Sequence, residues 1–288
     1  MKSTKTLKHE INIKNIVMDD IEKFLDEDLG KDGDITSDSL FTDEYAKAHI
    51  ITREDCIIAG LDEIRDVFEK TGAKIEFKVK SGVFVKKGTV ISIISGPVRS
   101  ILKGERLAIN IIGRMSGIAT ETKKLVDICK SINPNVSIAA TRKTTPGFRK
   151  YEKKAVVLGG GESHRFGLFD AVMIKDNHIK LIGSVERAIK IVKEKVKNKI
   201  IEVEVENEKD ALTAANLNVD VIMLDNIDPN SGEQIAKKIR KINQNIIIEI
   251  SGGITSENIK KYASFADRIS LGYITHSIRS IDFSLEII

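Results

Sequence analysis

Cysteine is nearly absent from this sequence. Only Cys56 and Cys129 occur, far apart and with no paired His or Cys spacing around either, which excludes a disulfide framework or a zinc site and leaves two ordinary thiols. A dominant charge is lacking too: Lys+Arg total 46 against Asp+Glu 42, a formal net charge of only +4, so the strong positive field on which nucleic-acid affinity rests is not there. No apolar run approaches membrane-spanning length. The segment from Met1 to Ile16 is polar and Lys-rich without a secretory apolar stretch, so the expected location is the cytoplasm. What the chain does have is 288 residues with 41% hydrophobic content, enough for the core of one large domain or two modest ones.

An amphipathic pattern from Asp19 to Leu29 predicts a helix that stops at Gly30, and Gly33-Asp34-Ile35-Thr36 follows as a turn. Alternating apolar residues between Ile75 and Ser95, broken at Gly82 and Gly88, predict short antiparallel strands. A long helix is expected from about Glu105, continuing past Gly117 towards Ile128 as a link between two domains. Beyond about residue 136, β-branched apolar segments alternate with Lys/Glu-rich helical ones, the rhythm of repeated βα units and a parallel sheet. Strands are expected at Val136 to Ala140, Ala171 to Ile174, Ile200 to Val205, Val219 to Leu224, Ile246 to Ile250 and Arg268 to Leu271. Helices are expected at Val185 to Val196, Lys209 to Leu217, Gly232 to Ile242 and Ser256 to Ala263. Six strands build either a barrel or an open doubly wound sheet. The barrel is favoured because polar residues follow every strand, as in β/α barrels, whereas an open sheet gathers its site at one switch point.

Those polar residues carry the candidate chemistry. Ile201-Glu-Val-Glu-Val-Glu-Asn207 is odd for a central parallel strand, since it turns Glu202, Glu204 and Glu206 to one face. An unpaired buried carboxylate costs roughly several kcal/mol, so at least one of them must meet a cation, a metal-bound substrate or water; an ion pair with Lys175 or Arg142 is the structural alternative. Asp225 ends a strand, where a carboxylate binds ribose hydroxyls or Mg²⁺, or merely caps a helix. Ser251-Gly252-Gly253, between a strand and an expected helix start, is either a phosphate cradle with Gly272 as its second wall or a tight turn. Arg142, Lys143, His164, Arg165 and Lys175 cluster around Gly159-Gly160-Gly161 and imply a substrate with several negative charges.

Three segments are specific enough to name a family: Ala140-Thr-Arg-Lys-Thr-Thr-Pro-Gly147, Gly159-Gly-Gly-Glu-Ser-His-Arg-Phe-Gly167 and Ile174-Lys-Asp-Asn-His178. With Gly104-Glu-Arg106, Ser116-Gly-Ile-Ala-Thr120, Glu202 to Glu206, Met223-Leu-Asp-Asn226, Ser251-Gly-Gly253 and Thr275-His-Ser277, in that order, the chain resembles the quinolinate phosphoribosyltransferases. That resemblance implies an incomplete parallel β/α barrel over residues 116–275 and an N-terminal α/β open sandwich over 1–115, completed by 276–288, in a homodimer. It implies transfer of phosphoribosyl from phosphoribosyl pyrophosphate to quinolinate with Mg²⁺, releasing CO₂ and pyrophosphate and giving nicotinate mononucleotide for NAD synthesis. Carried onto matching positions, Arg142, His164, Arg165 and Lys175 hold the quinolinate carboxylates, Thr141 joins the binding set, and Arg106 reaches in from the partner subunit. Lys143 and Lys175 face the pyrophosphate, and Glu204 and Asp225 hold the ribose and its metal. Ser251, Gly252, Gly253 and the Leu271-Gly272-Tyr273 loop take the 5′-phosphate. Two departures stand out: Tyr273 where a small residue is usual, and Ser163 for a frequent Asn.

Three rivals are weaker. The molybdenum-transport-associated pyrophosphorylase-like family shares the fold but not the Lys175-Asp176-Asn177-His178 pattern. A nicotinate-specific phosphoribosyltransferase needs fewer cations. A biotinyl or lipoyl carrier resembles Lys80 to Gly88 but carries a modified-lysine hairpin that is missing here.

Overall fold

A computed structural model describes residues 20–288; the polar N-terminal segment on which the expected location rests, and Asp19, lie outside them. The strands are β1 (Tyr45–Thr52), β2 (Cys56–Ile57), β3 (Lys74–Phe77), β4 (Phe84–Val85), β5 (Val90–Pro97), β6 (Ser137–Ala139), β7 (Val172–Ile174), β8 (Ile201–Val205), β9 (Val221–Asp225), β10 (Ile247–Ser251), β11 (Arg268–Ser270) and β12 (Phe283–Ile287). They fall into two compact units that interleave along the chain. One holds the described residues up to Lys123 with 145–160 and 274–288; the other holds 124–144 and 161–273.

In the first unit an antiparallel sheet runs β12-β1-β5-β3, and β2 pairs with β4. The strand period of two puts Ala48 and Ile50 of β1 and Ile94 of β5 into the core, Ile91 is buried beyond the register shift opposite Ile50 and Ile51, and Ile64, Val67 and Phe68 of helix Leu61–Thr71 are buried as well. The helix expected from Glu105 begins earlier, immediately after Pro97, and runs unbroken from Val98 to Lys130. Gly113 and Gly117 within it are not breaks. A Cβ at Gly113 would lie 2.8 Å from the carbonyl oxygen of Ile281, and one at Gly117 2.4 Å from that of Arg279, so the returning C-terminal segment can lie on this helix only because both residues are glycine.

The second unit is built on a six-stranded parallel sheet in the order β6-β11-β10-β9-β8-β7. Five strands follow one another without reversal and the first pairs with the last, which is the winding of a barrel rather than of a doubly wound sheet. It stays incomplete because β6 and β7 do not pair. The open edge of β6 carries a single parallel bridge from Ala139 to Glu162, whose N–H donates to Ile138 O at 2.7 Å. Outer helices Val185–Lys195, Glu208–Asn216 and Pro229–Ile242 start at Ser184, Asn207 and Asp228, whose side chains accept backbone N–H bonds and hold each helix start.

One expected element changes. Ser256 to Ala263 is not a helix throughout: 256–259 form a turn held by Asn258, whose side chain accepts from Thr255 N at 2.9 Å and donates to Gly253 O at 3.0 Å, and only Lys260–Ala263 is helical. No helix among the described residues is long and apolar enough to cross a membrane. Cys56 and Cys129 are both buried and unbridged, and burial pushes the Cys129 thiol up to about 11.

Candidate active site

Parallel pairing brings the C-terminal ends of β6 to β11 to one end of the barrel, and nearly every candidate residue sits there. Thr141, Arg142 and Lys143 follow β6. The Thr141 hydroxyl accepts from Lys143 N at 3.0 Å, which turns the chain outward and leaves the Lys143 side chain exposed. Ile174 pairs in register with Val203, so the residues after them, Lys175 and Glu204, stand level on neighbouring strands, and the Lys175 ammonium bonds the Glu204 carboxylate. The expected alternative for Glu204, an ion pair with Lys175, is therefore present in the folded chain. The three carboxylates meet three fates: Glu202 is buried in β8, Glu204 is paired and half-buried, and Glu206, just beyond the strand, is exposed.

Asp225 at the end of β9 pairs in register with Ser251 at the end of β10. Asn226 joins the two tips: its N–H donates to Ser251 O at 3.0 Å and its side chain to Asp225 Oδ2 at 2.7 Å, with its own backbone left-handed at φ 54°. Gly252, at φ 86°, presses on this residue so closely that a Cβ would lie 2.3 Å from Asn226 Oδ1, whereas Gly253 is exposed and meets that atom only at 3.9 Å. The helix end expected to assist this turn is not there, because the next helix starts only at Lys260 and spans four residues. Leu271 is buried, Gly272 half-buried, and Tyr273 opens the one-turn helix Tyr273–His276.

A second layer lies deeper, on residues the sequence pattern did not all reveal. His164 and Arg165 are 8% and 6% exposed. His164 Nε2 stands 3.3 Å from Glu202 Oε2 and 3.3 Å from Glu249 Oε1. Glu249 is fully buried, accepting from Arg268 NH1 at 3.0 Å and from the Ser270 hydroxyl, while Arg268 Nε donates to Glu162 Oε2 at 3.0 Å. Burial alone would strip the His164 proton, but the two carboxylates reverse that and raise the imidazole to about 9. Glu249 is held down to about 2 against its own burial by His164 and Arg268. Burial and the neighbouring Glu249 push Glu202 up. Arg165 donates to Ala171 O at 3.4 Å; burial, with Arg142 nearby and the carboxylates opposing, lowers its proton affinity. The buried Arg142 Nε has no hydrogen-bond acceptor among the described residues. Two guanidinium groups held near each other, one half-buried and one buried, form an arrangement that a ligand with several negative charges neutralises.

Arg106 belongs to the other unit. It lies exposed on helix Val98–Lys130, in the stretch belonging to the first unit. The segment after Lys143 also turns out to be structural: Thr145 donates to the buried Glu152 through its N–H at 3.1 Å and its hydroxyl at 2.9 Å, and Glu152 in turn accepts from Arg114 at 2.8 Å. Glu249 and Arg268 are the residues sequence reasoning passed over. Glu249 is a single charge inside an apolar parallel strand, and Arg268 is the first residue of its short strand.

Residues 34–116 match the family described as "Quinolinate phosphoribosyl transferase, N-terminal domain", and residues 118–286 match its C-terminal domain. Among curated proteins, the chain is 43% identical over 259 residues to the "Probable nicotinate-nucleotide pyrophosphorylase (carboxylating)" of Archaeoglobus fulgidus, covering 89% of this chain and 98% of that one. It is 40% identical over 271 residues to the protein of the same name from Bacillus subtilis, covering 93% and 92%. The solved nicotinate-nucleotide pyrophosphorylase of Francisella tularensis superposes with a TM-score of 0.87 at 36% identity, over 93% of this chain and 94% of that one.

Proposed function

This chain belongs to the quinolinate phosphoribosyltransferase family and is a phosphoribosyltransferase that joins quinolinate to phosphoribosyl pyrophosphate with loss of CO₂, and from that premise we propose how its residues divide the work. The observation that carries the reading is that Lys175 pairs with Glu204 at the end of the barrel strands while Arg165 lies near Arg142 and Glu204, with His164 beside it in the deeper layer. In this reading the four cationic groups take the two quinolinate carboxylates, with Arg142 and Arg165 as bidentate donors. Thr141, by bonding Lys143 N, sets the turn that points Lys143 outward, and Lys143 and Lys175 face the pyrophosphate.

Bond breaking at the ribose leaves an electron-poor, oxocarbenium-like carbon, and fixed negative charge from Glu204 and Asp225 stabilises it. Lys175 acts twice, neutralising Glu204 in the folded chain and turning towards the anionic substrates when they bind. Two carboxylates at the tips of adjacent strands are a donor set that suits Mg²⁺, which takes one or two carboxylates together with substrate phosphates. Bound there with phosphoribosyl pyrophosphate, the ion would supply positive charge to the departing pyrophosphate. The 5′-phosphate goes to Ser251, Gly252 and Gly253, with Leu271, Gly272 and Tyr273 as the second wall. The exposed backbone of Gly253 supports this, and loop backbone rather than a helix end makes the contact. The active assembly is a homodimer in which Arg106 enters the partner's quinolinate site.

Purified protein should form nicotinate mononucleotide from quinolinate and phosphoribosyl pyrophosphate. Nicotinate offered instead leaves buried cations without their carboxylate, so kcat/KM should fall by about four orders of magnitude, the discrimination typical of sites that leave buried polar groups unpaired. Equal use of the two acids would overturn the dicarboxylate pocket.

A further inference from the structure

The buried charges below the barrel mouth form a connected set whose purpose goes beyond the proposed substrate contacts. We infer that Glu249 and Glu202 are positioning residues for His164, fixing its ring through Nε2 and keeping it an imidazolium, so that Nδ1 is the donor left for a quinolinate carboxylate. This rests on the reading of His164 as a quinolinate contact.

The geometry supports it from every side. His164 sits at φ 53°, a left-handed conformation uncommon for a residue with a Cβ, which fixes the direction in which its ring leaves the chain. The loop is pinned just before it, where Glu162 bridges to β6 and accepts from Arg268, and just after it, where Arg165 donates to Ala171 O. Nε2 points between Glu202 of β8 and Glu249 of β10, 3.3 Å from each and in hydrogen-bond geometry with neither, so the contact is one of charge. The charged groups around the ring are therefore Glu202 and Glu249, Arg268 of β11 beyond Glu249, and Glu162 and Arg165 of its own loop.

The surrounding charges favour the imidazolium. Arg268 is shared between Glu249 and Glu162, so a neutral ring would leave Glu249 only partly compensated and Glu202, already pushed up by burial and by Glu249, with no cation at Nε2. The imidazolium closes that set, consistent with a His164 value of about 9 in spite of burial. The same His and two carboxylates could in principle hold a divalent metal, since their ligand atoms lie within 4.8 Å of one another. Against that, both oxygens of Glu249 already accept hydrogen bonds, one from Arg268 and one from Ser270. A proton on His164 satisfies the remaining charge without displacing either.

The test uses the full-length enzyme and the variants Glu249→Gln, Glu202→Gln and His164→Ala. Glu202→Gln leaves the Arg268 to Glu249 bond intact and serves if Glu249→Gln fails to fold. In the Gln variants the KM for quinolinate should rise about 10- to 100-fold, the range seen when the outer partner of a ligating histidine is lost, with kcat and the KM for phosphoribosyl pyrophosphate much less affected. Histidine side-chain ¹⁵N NMR, with His164 assigned by its loss in His164→Ala, should show an imidazolium up to about pH 9 in the wild type and a titration at lower pH in the variants. A raised quinolinate KM in His164→Ala with none in either folded Gln variant would overturn the positioning role alone. An unchanged KM in His164→Ala would overturn the substrate contact itself. Stoichiometric zinc in the purified enzyme, removed by chelator together with a change in the His164 signal, would assign the cluster to a metal instead.

Discussion

At the scale of single residues, the pairing of Glu204 with Lys175 makes the separation of binding from turnover testable. Glu204→Ala removes negative charge from the ribosyl centre and at the same time releases Lys175 towards the anionic substrates. Turnover should fall about 100- to 1,000-fold, the typical effect of losing one preorganised electrostatic stabiliser, while quinolinate affinity is kept or tightened. Asp225→Ala should lower kcat similarly, and near-normal steady-state turnover in both variants would refute their role at the ribosyl centre. The Glu204 signal was legible because three alternating carboxylates break the apolar run expected of a parallel strand. Glu249 was harder to see: one charge after Ile246, Ile247 and Ile248 has no period, and its partners Arg268 and Ser270 are distant in sequence. Arg268 opens its strand, where a charged residue reads as a boundary rather than as core. Which cation a buried carboxylate meets is decided by register across the barrel, and register is not written in any one segment.

At the scale of elements, the six barrel strands were legible to within a residue or two because β-branched runs alternate with helical ones, whereas elements defined by distant backbone were not. The turn at 256–259 has the composition of a helix start, but Asn258 bonds it into a loop. The helix Val98–Lys130 shows the converse: Gly113 and Gly117 read as weak points, yet the reason for both is the chain near Arg279 and Ile281. Alanine at Gly117 would gain about 1 kcal/mol of helix propensity and place a methyl group 2.4 Å from a carbonyl oxygen, closer than real Cβ contacts come. The clash is with backbone, which cannot rotate away, so overpacking wins. Gly117→Ala should destabilise by about 1–3 kcal/mol, seen as a lower urea midpoint with an unchanged slope. A raised midpoint would mean that the C-terminal segment yields freely.

At the scale of the whole molecule, the barrel's winding follows from the strand order, but assembly does not follow from one chain, and Arg106 is where the two meet. It lies exposed on helix Val98–Lys130, within the first unit, while the other proposed quinolinate contacts belong to the second. If Arg106 completes the partner's site, Arg106→Ala should fold, dimerise and be poorly active. Mixed with Glu204→Ala, it should regain activity, because one site of the heterodimer combines the barrel of the Arg106→Ala chain with the arginine of the Glu204→Ala chain. Random exchange at equal mixing gives about half heterodimers, each with one complete site of two, so recovery should approach about a quarter of wild-type activity for independent sites in a two-fold dimer. Mass-tagged chains report the exchange independently of catalysis. Demonstrated exchange with no activity above that of the separate variants would place the action of Arg106 within its own chain.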